Sequence, residues 1–176
     1  MNGKRLGRGI LFVGVSLIVG TAMASASNDN HDNQAVTSDL ITHYLAIQTA
    51  LAGDSLDQVS EHAAALKNLA GAALKEKDNQ GDPSDHGSAS AAAAATDQLA
   101  KATNLEQARR AFGELSDALV ESGDLVLVDG LKVAYCPMAK RHWLQTGDQI
   151  SNPYYGSRML RCGNFVAQPE TTPSGN

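Results

Sequence analysis

Residues 38–77 read SDLITHYLAIQTALAGDSLDQVSEHAAALKNLAGAALKEK, and the spacing of their apolar side chains decides the fold class. One face of an α-helix has the spacing i, i+4, i+7, i+11. This is the spacing of the apolar residues Leu40, Tyr44, Ile47 and Leu51. Gly53 is a typical helix stop. These features predict a helix over residues 38–52.

The residues after Gly53 predict a second helix. Ser55 and Gln58 have the spacing of a capping box, with serine at the N-cap and glutamine three positions into the helix. Apolar side chains continue at helical spacing to about Lys77. Because only a short polar link separates the two segments, they are expected to form an antiparallel hairpin.

Two more helical segments follow a polar insert over residues 78–90, which is rich in Gly, Pro, Asp and Ser and predicts a flexible loop. Residues 91–103 are alanine-rich. Asn104 and Gln107 then form another capping signal, and a single apolar face continues to Gly123. Low aromatic content argues against a sandwich or barrel. The prediction is an all-α protein, an up-down bundle of about four helices with a C-terminal Cys/Met-rich loop and short-helix cap. His43 and His62 lie within the predicted helices and are interpreted as surface residues or as residues whose hydrogen bonds are satisfied locally.

The N-terminus has the pattern of a secretory signal peptide over residues 1–26. Lys4, Arg5 and Arg8 precede an apolar run of about ten residues, which is too short to cross a bilayer, and small residues then offer a cleavage site. No adjacent arginine pair is present in residues 1–26, so a Sec-type signal and a periplasmic location are expected. Residues 27–36 are predicted to be a disordered linker, residues 37–168 one helical domain, and residues 169–176 a disordered tail.

The charge of the chain excludes some partners. The three cations of the signal are the only charges in the first 26 residues, so their removal changes the net charge from −5 to −8. Such an acidic chain is a poor ligand for nucleic acid and for anionic membrane surfaces. No Gly-rich phosphate loop, His-Glu-x-x-His zinc motif or Cys-x-x-Cys pair is present, and an enzyme is not expected.

Sulfur is concentrated near the C-terminus. After the signal, the only cysteines and methionines are Cys136, Met138, Met159 and Cys162. Asn152 and Pro153 predict a capped helical turn that runs through Tyr155 and places Met159 and Cys162 at i, i+3. If Pro137 also begins a helical turn, His142 lies one turn after Met138.

The residues by themselves leave two interpretations open. Two cysteines in an exported protein usually form a disulfide, and a Cys136–Cys162 bridge would contribute roughly 3.5 kcal/mol of stability in the chain-entropy model. Alternatively, the two cysteines, the two methionines and His142 supply soft ligands that suit Cu(I) or Ag(I). Without further information the disulfide is favoured.

Residues 133–165, VAYCPMAKRHWLQTGDQISNPYYGSRMLRCGNF, resemble the signature of a bacterial domain family of unknown function. That family occurs in exported stand-alone proteins and as an extension of periplasmic adaptor subunits of copper and silver efflux pumps. The helical part agrees with the family in character but carries no diagnostic motif. The resemblance implies an all-α domain in a heavy-metal context. It singles out Cys136, Met138, Trp143, Asn152, Pro153, Tyr154, Gly156, Met159 and Cys162.

The resemblance favours the metal interpretation. The expected function is a periplasmic Cu(I)- or Ag(I)-binding protein linked to efflux or resistance, with Trp143 shielding the ion. The alternative is a disulfide-stapled interaction module that presents Trp143, Tyr154 and Tyr155 to an efflux adaptor or another envelope partner.

Overall fold

The structure is a computed structural model that describes residues 28–78, 86–123, 125 and 128–167. Its helices are α1 (Asn28–Ala52), α2 (Val59–Asp78), α3 (His86–Ala100) and α4 (Leu105–Ser122). The strands are β1 (Lys132–Cys136), β2 (Arg141–Gln145) and β3 (Asn164–Phe165), and a 3-10 helix covers Gly156–Met159. The predicted signal peptide and C-terminal tail lie outside the described residues.

The predicted helices are present, and two of their predicted ends are formed as expected. The Asn104 side chain accepts a hydrogen bond from the Gln107 amide at 2.9 Å, which caps α4. Gly123 closes the same helix in a left-handed conformation and donates to the Val120 carbonyl. Local chemistry therefore sets both ends of this helix.

Two helices begin earlier than predicted. Helix α1 starts at Asn28, so the predicted disordered linker is helical from that residue onward. Helix α3 starts at His86, inside the predicted flexible insert. Because adding residues to an existing helix costs far less than nucleating one, polar and alanine-rich flanks can extend a packed helix.

The predicted capping box before α2 is wrong. Ser55 Oγ accepts from the Asp57 amide at 2.9 Å, two residues along the chain. Gln58 takes a left-handed conformation, and the helix begins only at Val59. A local serine turn has replaced the helical first turn, as short polar side chains allow.

The helices form an up-down bundle, as specific pairings show. Ser60 on α2 donates to the Ala100 carbonyl on α3, and Lys67 further along α2 pairs with Asp97 earlier on α3. Helices α1 and α4 also run in opposite directions, because Tyr44 bonds to Ser116 whereas Arg109 bonds to the Leu51 carbonyl. The apolar faces meet in one core, whose largest buried members include Tyr44, Ile47, Leu51, Leu99 and Phe112.

The fold is predominantly helical but not all-α, because a three-stranded antiparallel sheet with the order β2-β1-β3 follows the bundle. Strands β1 and β2 form a hairpin in which Tyr135 lies opposite His142 and Cys136 opposite Arg141. Residues 137–140 form its turn, so Pro137 does not begin a helix. Valine, tyrosine and tryptophan at alternating positions favour the extended chain.

The helices cover the free edge of β2. The Leu144 amide donates to the Tyr44 hydroxyl at 3.0 Å, and the His142 amide donates to Asp117 at 3.2 Å. The Tyr154 hydroxyl donates to the His142 carbonyl. An uncovered strand edge invites pairing with other chains, and these side chains occupy that edge and tie the sheet to the bundle. Within the described residues no helix combines the length and apolar character needed to cross a membrane.

Candidate metal centre

The structure brings the two cysteines together as free thiols. Cys136 is fully buried at the end of β1, and Cys162 is partly exposed just before β3. Antiparallel pairing of β1 with β3 sets Tyr135 opposite Asn164, which places Cys136 opposite Gly163 and beside Cys162. The register of two strands, rather than a helical repeat, therefore positions the thiol pair.

The Cys162 thiol favours its protonated form. Loss of hydration raises the pKa of Cys162, and the neighbouring Cys136 thiol raises it further through charge and hydrogen bonding. The Ala139 amide donates to Cys136 Sγ at 3.4 Å. Since a metal binds thiolates, an ion at this pair would have to displace protons.

Gly163 allows the chain to pass closely over Trp143. A Cβ at this position would lie 2.8 Å from Trp143 Cη2 and 2.9 Å from the Tyr135 carbonyl oxygen. Trp143 itself is fully buried, donates to Gln145 Oε1 at 3.0 Å and packs edge-on against Tyr154. The buried Trp143 ring therefore packs directly against the backbone at Gly163, the residue after Cys162.

Asn152 holds the segment that delivers Cys162. Its side chain is fully buried and donates to the Cys162 carbonyl at 2.7 Å. Its Oδ1 accepts from the backbone amides of Tyr154 at 2.8 Å and Tyr155 at 3.3 Å. The backbone amide of Asn152 donates to the Leu160 carbonyl. One buried amide side chain therefore caps the turn at Pro153 and fixes the backbone of the ligand candidate ten residues later.

Asp54 and Arg109 attach this segment to the bundle, and the sequence interpretation missed both. Arg109 on α4 bonds to Asp54 Oδ1 at 2.5 Å and to the Pro153 carbonyl at 2.9 Å. Asp54 also accepts from the Ser157 amide, and hydrogen bonds from Ser157 and then from Arg109 lower the pKa of its carboxyl well below the usual range. The partners are 44 or more residues apart in sequence, so no local pattern could reveal them.

A side chain at position 156 would disrupt this clamp, which we define as Asp54, Arg109 and the backbone of residues 153–157. Gly156 has a φ of +56°, and a Cβ there would lie 2.0 Å from Asp54 Oδ1 and 2.4 Å from Arg109 Nη2. Only glycine satisfies both the conformation and the close approach.

The methionines occupy different environments. Met138 lies in the hairpin turn two residues after Cys136, and 61% of its surface is exposed. Met159 ends the 3-10 helix and is half-buried, and its carbonyl accepts from the Cys162 amide at 2.9 Å. Met138 is therefore the sulfur most accessible to an incoming ion.

His142 does not join the sulfur residues. It lies opposite Tyr135, one position before the end of β1, and successive strand residues point to opposite faces. Its ring packs on Tyr135 with centroids 4.9 Å apart, and its Nδ1 lies 3.9 Å from Asp117. The expectation that His142 is a fifth ligand beside Cys136 is wrong because the chain forms a hairpin there, not a helical turn.

The aromatic docking surface is also not formed. Trp143 is fully buried and Tyr154 is 8% exposed, which leaves only Tyr155 partly accessible among the three aromatics. A partner cannot use buried rings as binding hot spots without rearranging the core.

The site offers few possible metal ligands, and they are soft ones. Across the part of the chain that the structure describes, no cluster of three or more His, Cys, Asp or Glu side chains could hold a metal ion. The sulfur centre, which we define as the thiols of Cys136 and Cys162, offers soft ligands that suit Cu(I) and not Mg²⁺ or Ca²⁺.

The comparisons with known proteins match the bundle. Residues 40–126 match the model of a family described as protein of unknown function (DUF3347). The match extends from α1 to just beyond α4 and ends before β1, so the matched segment covers the helices and does not include residues 133–165. Neither the curated proteins nor the solved structures gave a match. The protein thus combines a helical domain of unknown function with a sheet that bears two adjacent thiols.

Proposed function

We propose that this protein is an exported binding protein for a soft monovalent metal, Cu(I) or Ag(I), that sequesters the ion or hands it to an efflux system. The observation that carries the proposal is the adjacency of the Cys136 and Cys162 thiols. Export and the efflux context rest on the signal-peptide pattern and on the resemblance of residues 133–165.

The surroundings of the thiols favour a soft ion. Thiolate and thioether are the ligands that select Cu(I), and among the described residues no carboxylate completes a three-ligand cluster with the two cysteines. Exposed Met138 offers a first contact for an ion that then passes to partly exposed Cys162 and buried Cys136. Met159, three residues before Cys162, is the second thioether candidate.

The raised pKa of Cys162 provides a route to release. Protons compete with the metal for thiolates, so the affinity falls as the pH falls. Each displaced proton changes the affinity about tenfold per pH unit below the thiol pKa. A site with two thiolates therefore loses about a hundredfold per unit, whereas a site with one thiolate and thioethers loses about tenfold.

Anaerobic titration of the reduced protein with Cu(I), in competition with a chelator at several pH values, tests the proposal. We expect Cys162→Ser to weaken binding by at least a hundredfold, and Met138→Ala with Met159→Ala by about tenfold. His142→Ala is the matched control, because His142 lies on the other face of the sheet, and its affinity should equal that of the wild type. Binding that is unchanged in Cys162→Ser would overturn the proposal.

A disulfide-stapled module is the second candidate, since the same adjacency favours a bridge. Intact mass of protein taken from the compartment of export, without added reductant, distinguishes the two states. A bridge that persists there, together with no Cu(I) binding after reduction, would favour the structural role. Its partner surface would then have to exclude Trp143 and Tyr154, which are buried.

A further inference from the structure

Two histidines on different helices contact each other. In the sequence they lie far from the two cysteines. His43 on α1 and His62 on α2 have their Nδ1 atoms 2.9 Å apart and their ring centroids 5.1 Å apart. Both side chains are half-buried, so water and small ions can reach them. The sequence alone predicted a surface or locally satisfied residue at each position and gave no sign that the two form a pair.

The contact requires one Nδ1 that donates and one that accepts. One Nδ1 carries the proton and donates it to the lone pair of the other, because two protonated Nδ1 atoms would face each other with no acceptor. If the donor ring carries its proton on Nε2 instead, the Nδ1 lone pairs of both rings are free to bind one ion. Neutral imidazole nitrogen is the commonest protein ligand for metals, and no net proton needs to leave.

The separation of the nitrogens is short enough for both to bind one ion at adjacent positions. With a metal–imidazole bond of about 2.05 Å, two ligands at a right angle lie about 2.9 Å apart, whereas the tetrahedral angle of zinc needs about 3.3 Å. The observed separation is 2.9 Å. Right-angle positions are those of tetragonal Cu(II) and Ni(II) with nitrogen and oxygen ligands.

We propose that His43 and His62 form a second metal site, which takes a divalent Cu(II)- or Ni(II)-class ion at two adjacent positions and joins α1 to α2. Among the described residues no third His, Cys, Asp or Glu completes the set, so water fills the remaining positions. The site differs from the sulfur centre in ligand chemistry and ion charge, and it does not depend on the proposed function.

Ni(II) is the probe for the test, because thiols reduce Cu(II) and would obscure the result. Substoichiometric Ni(II) is added to the full chain while the imidazole proton signals are followed by NMR. We expect the signals of His43 and His62 to broaden first and together, and the melting temperature to rise with added Ni(II).

Variants then test whether the two rings act as a pair. His43→Gln and His62→Gln should each weaken Ni(II) binding at least tenfold and remove the thermal shift, and His142→Gln should change neither. Circular dichroism without metal confirms that each variant is folded, and the wild-type NMR result stands without the variants. Broadening of His62 that persists unchanged in His43→Gln, or broadening confined to residues 131–167, would overturn the proposal.

Discussion

The bundle and the C-terminal unit, residues 131–167, are held together in different ways. Helices α1–α4 satisfy their backbone groups internally and bury apolar side chains such as Ile47, Leu51 and Phe112. The C-terminal unit has strands of two to five residues and one turn of 3-10 helix, so much of its backbone bonds to side chains instead. In this unit, buried polar side chains therefore satisfy backbone groups, as helical hydrogen bonds do in the bundle.

Gln145 shows the arrangement in the C-terminal unit. Its Oε1 accepts from Trp143 Nε1 and from the Ser151 amide, each at 3.0 Å, and its Nε2 donates to the Gln149 carbonyl at 2.8 Å. Its side chain is buried, and so is that of Asn152. Since a buried donor or acceptor without a partner costs about 1–3 kcal/mol, such a network tolerates few substitutions. Three substitutions test this contrast.

Trp143→Ala should have the largest effect, about 4 kcal/mol of lost unfolding free energy, because it empties a fully buried site. Met138→Ala is the control in the same hairpin and should change stability by less than about 0.5 kcal/mol, since Met138 is exposed. Urea denaturation measures both. Near-wild-type stability of Trp143→Ala would mean that this ring is a surface residue after all.

Asn152→Ala should lower the unfolding free energy by about 3 kcal/mol, because the Cys162 carbonyl and the Tyr154 amide lose their partner. The Cys162 thiol should also react faster with a disulfide reagent, since its backbone is no longer held. Asn164→Ala removes an exposed asparagine of the same unit and should leave both quantities unchanged within error. Equal effects of the two substitutions would contradict the role of a buried polar organiser.

Gly156→Ala should destabilise by about 2–3 kcal/mol, against about 1 kcal/mol for Gly147→Ala. Both glycines have positive φ, but only the Cβ at 156 meets neighbours, Asp54 and Arg109, whereas nothing lies within 4 Å of the Cβ at 147. The difference between the two variants measures the clamp alone. We expect thermal denaturation to separate them, and equal melting temperatures would show that the clamp does not attach the unit to the bundle.

The sequence predicted the parts of the fold that depend on local interactions. The apolar spacing around Tyr44 and Ile47, the cap at Asn104 and the stop at Gly123 each act within a few residues, and all three are features of the observed helices. The capping box at Ser55 failed because two local conformations compete for one serine. The hairpin at Pro137 was missed because alternation over five residues is a weak signal beside a proline that also suits a helix start.

By itself, the sequence determined where the helices form and that the sulfur residues cluster near the C-terminus, since helical spacing and composition are properties of the chain alone. Only the tertiary structure decided which groups meet: Cys136 with Cys162, His43 with His62 and Asp54 with Arg109. It also placed His142 on the opposite face from Cys136 and buried Trp143. These outcomes follow from strand register and helix pairing, in which residues far apart in the chain compete for the same contacts and a shift of one position reverses the face that a side chain occupies.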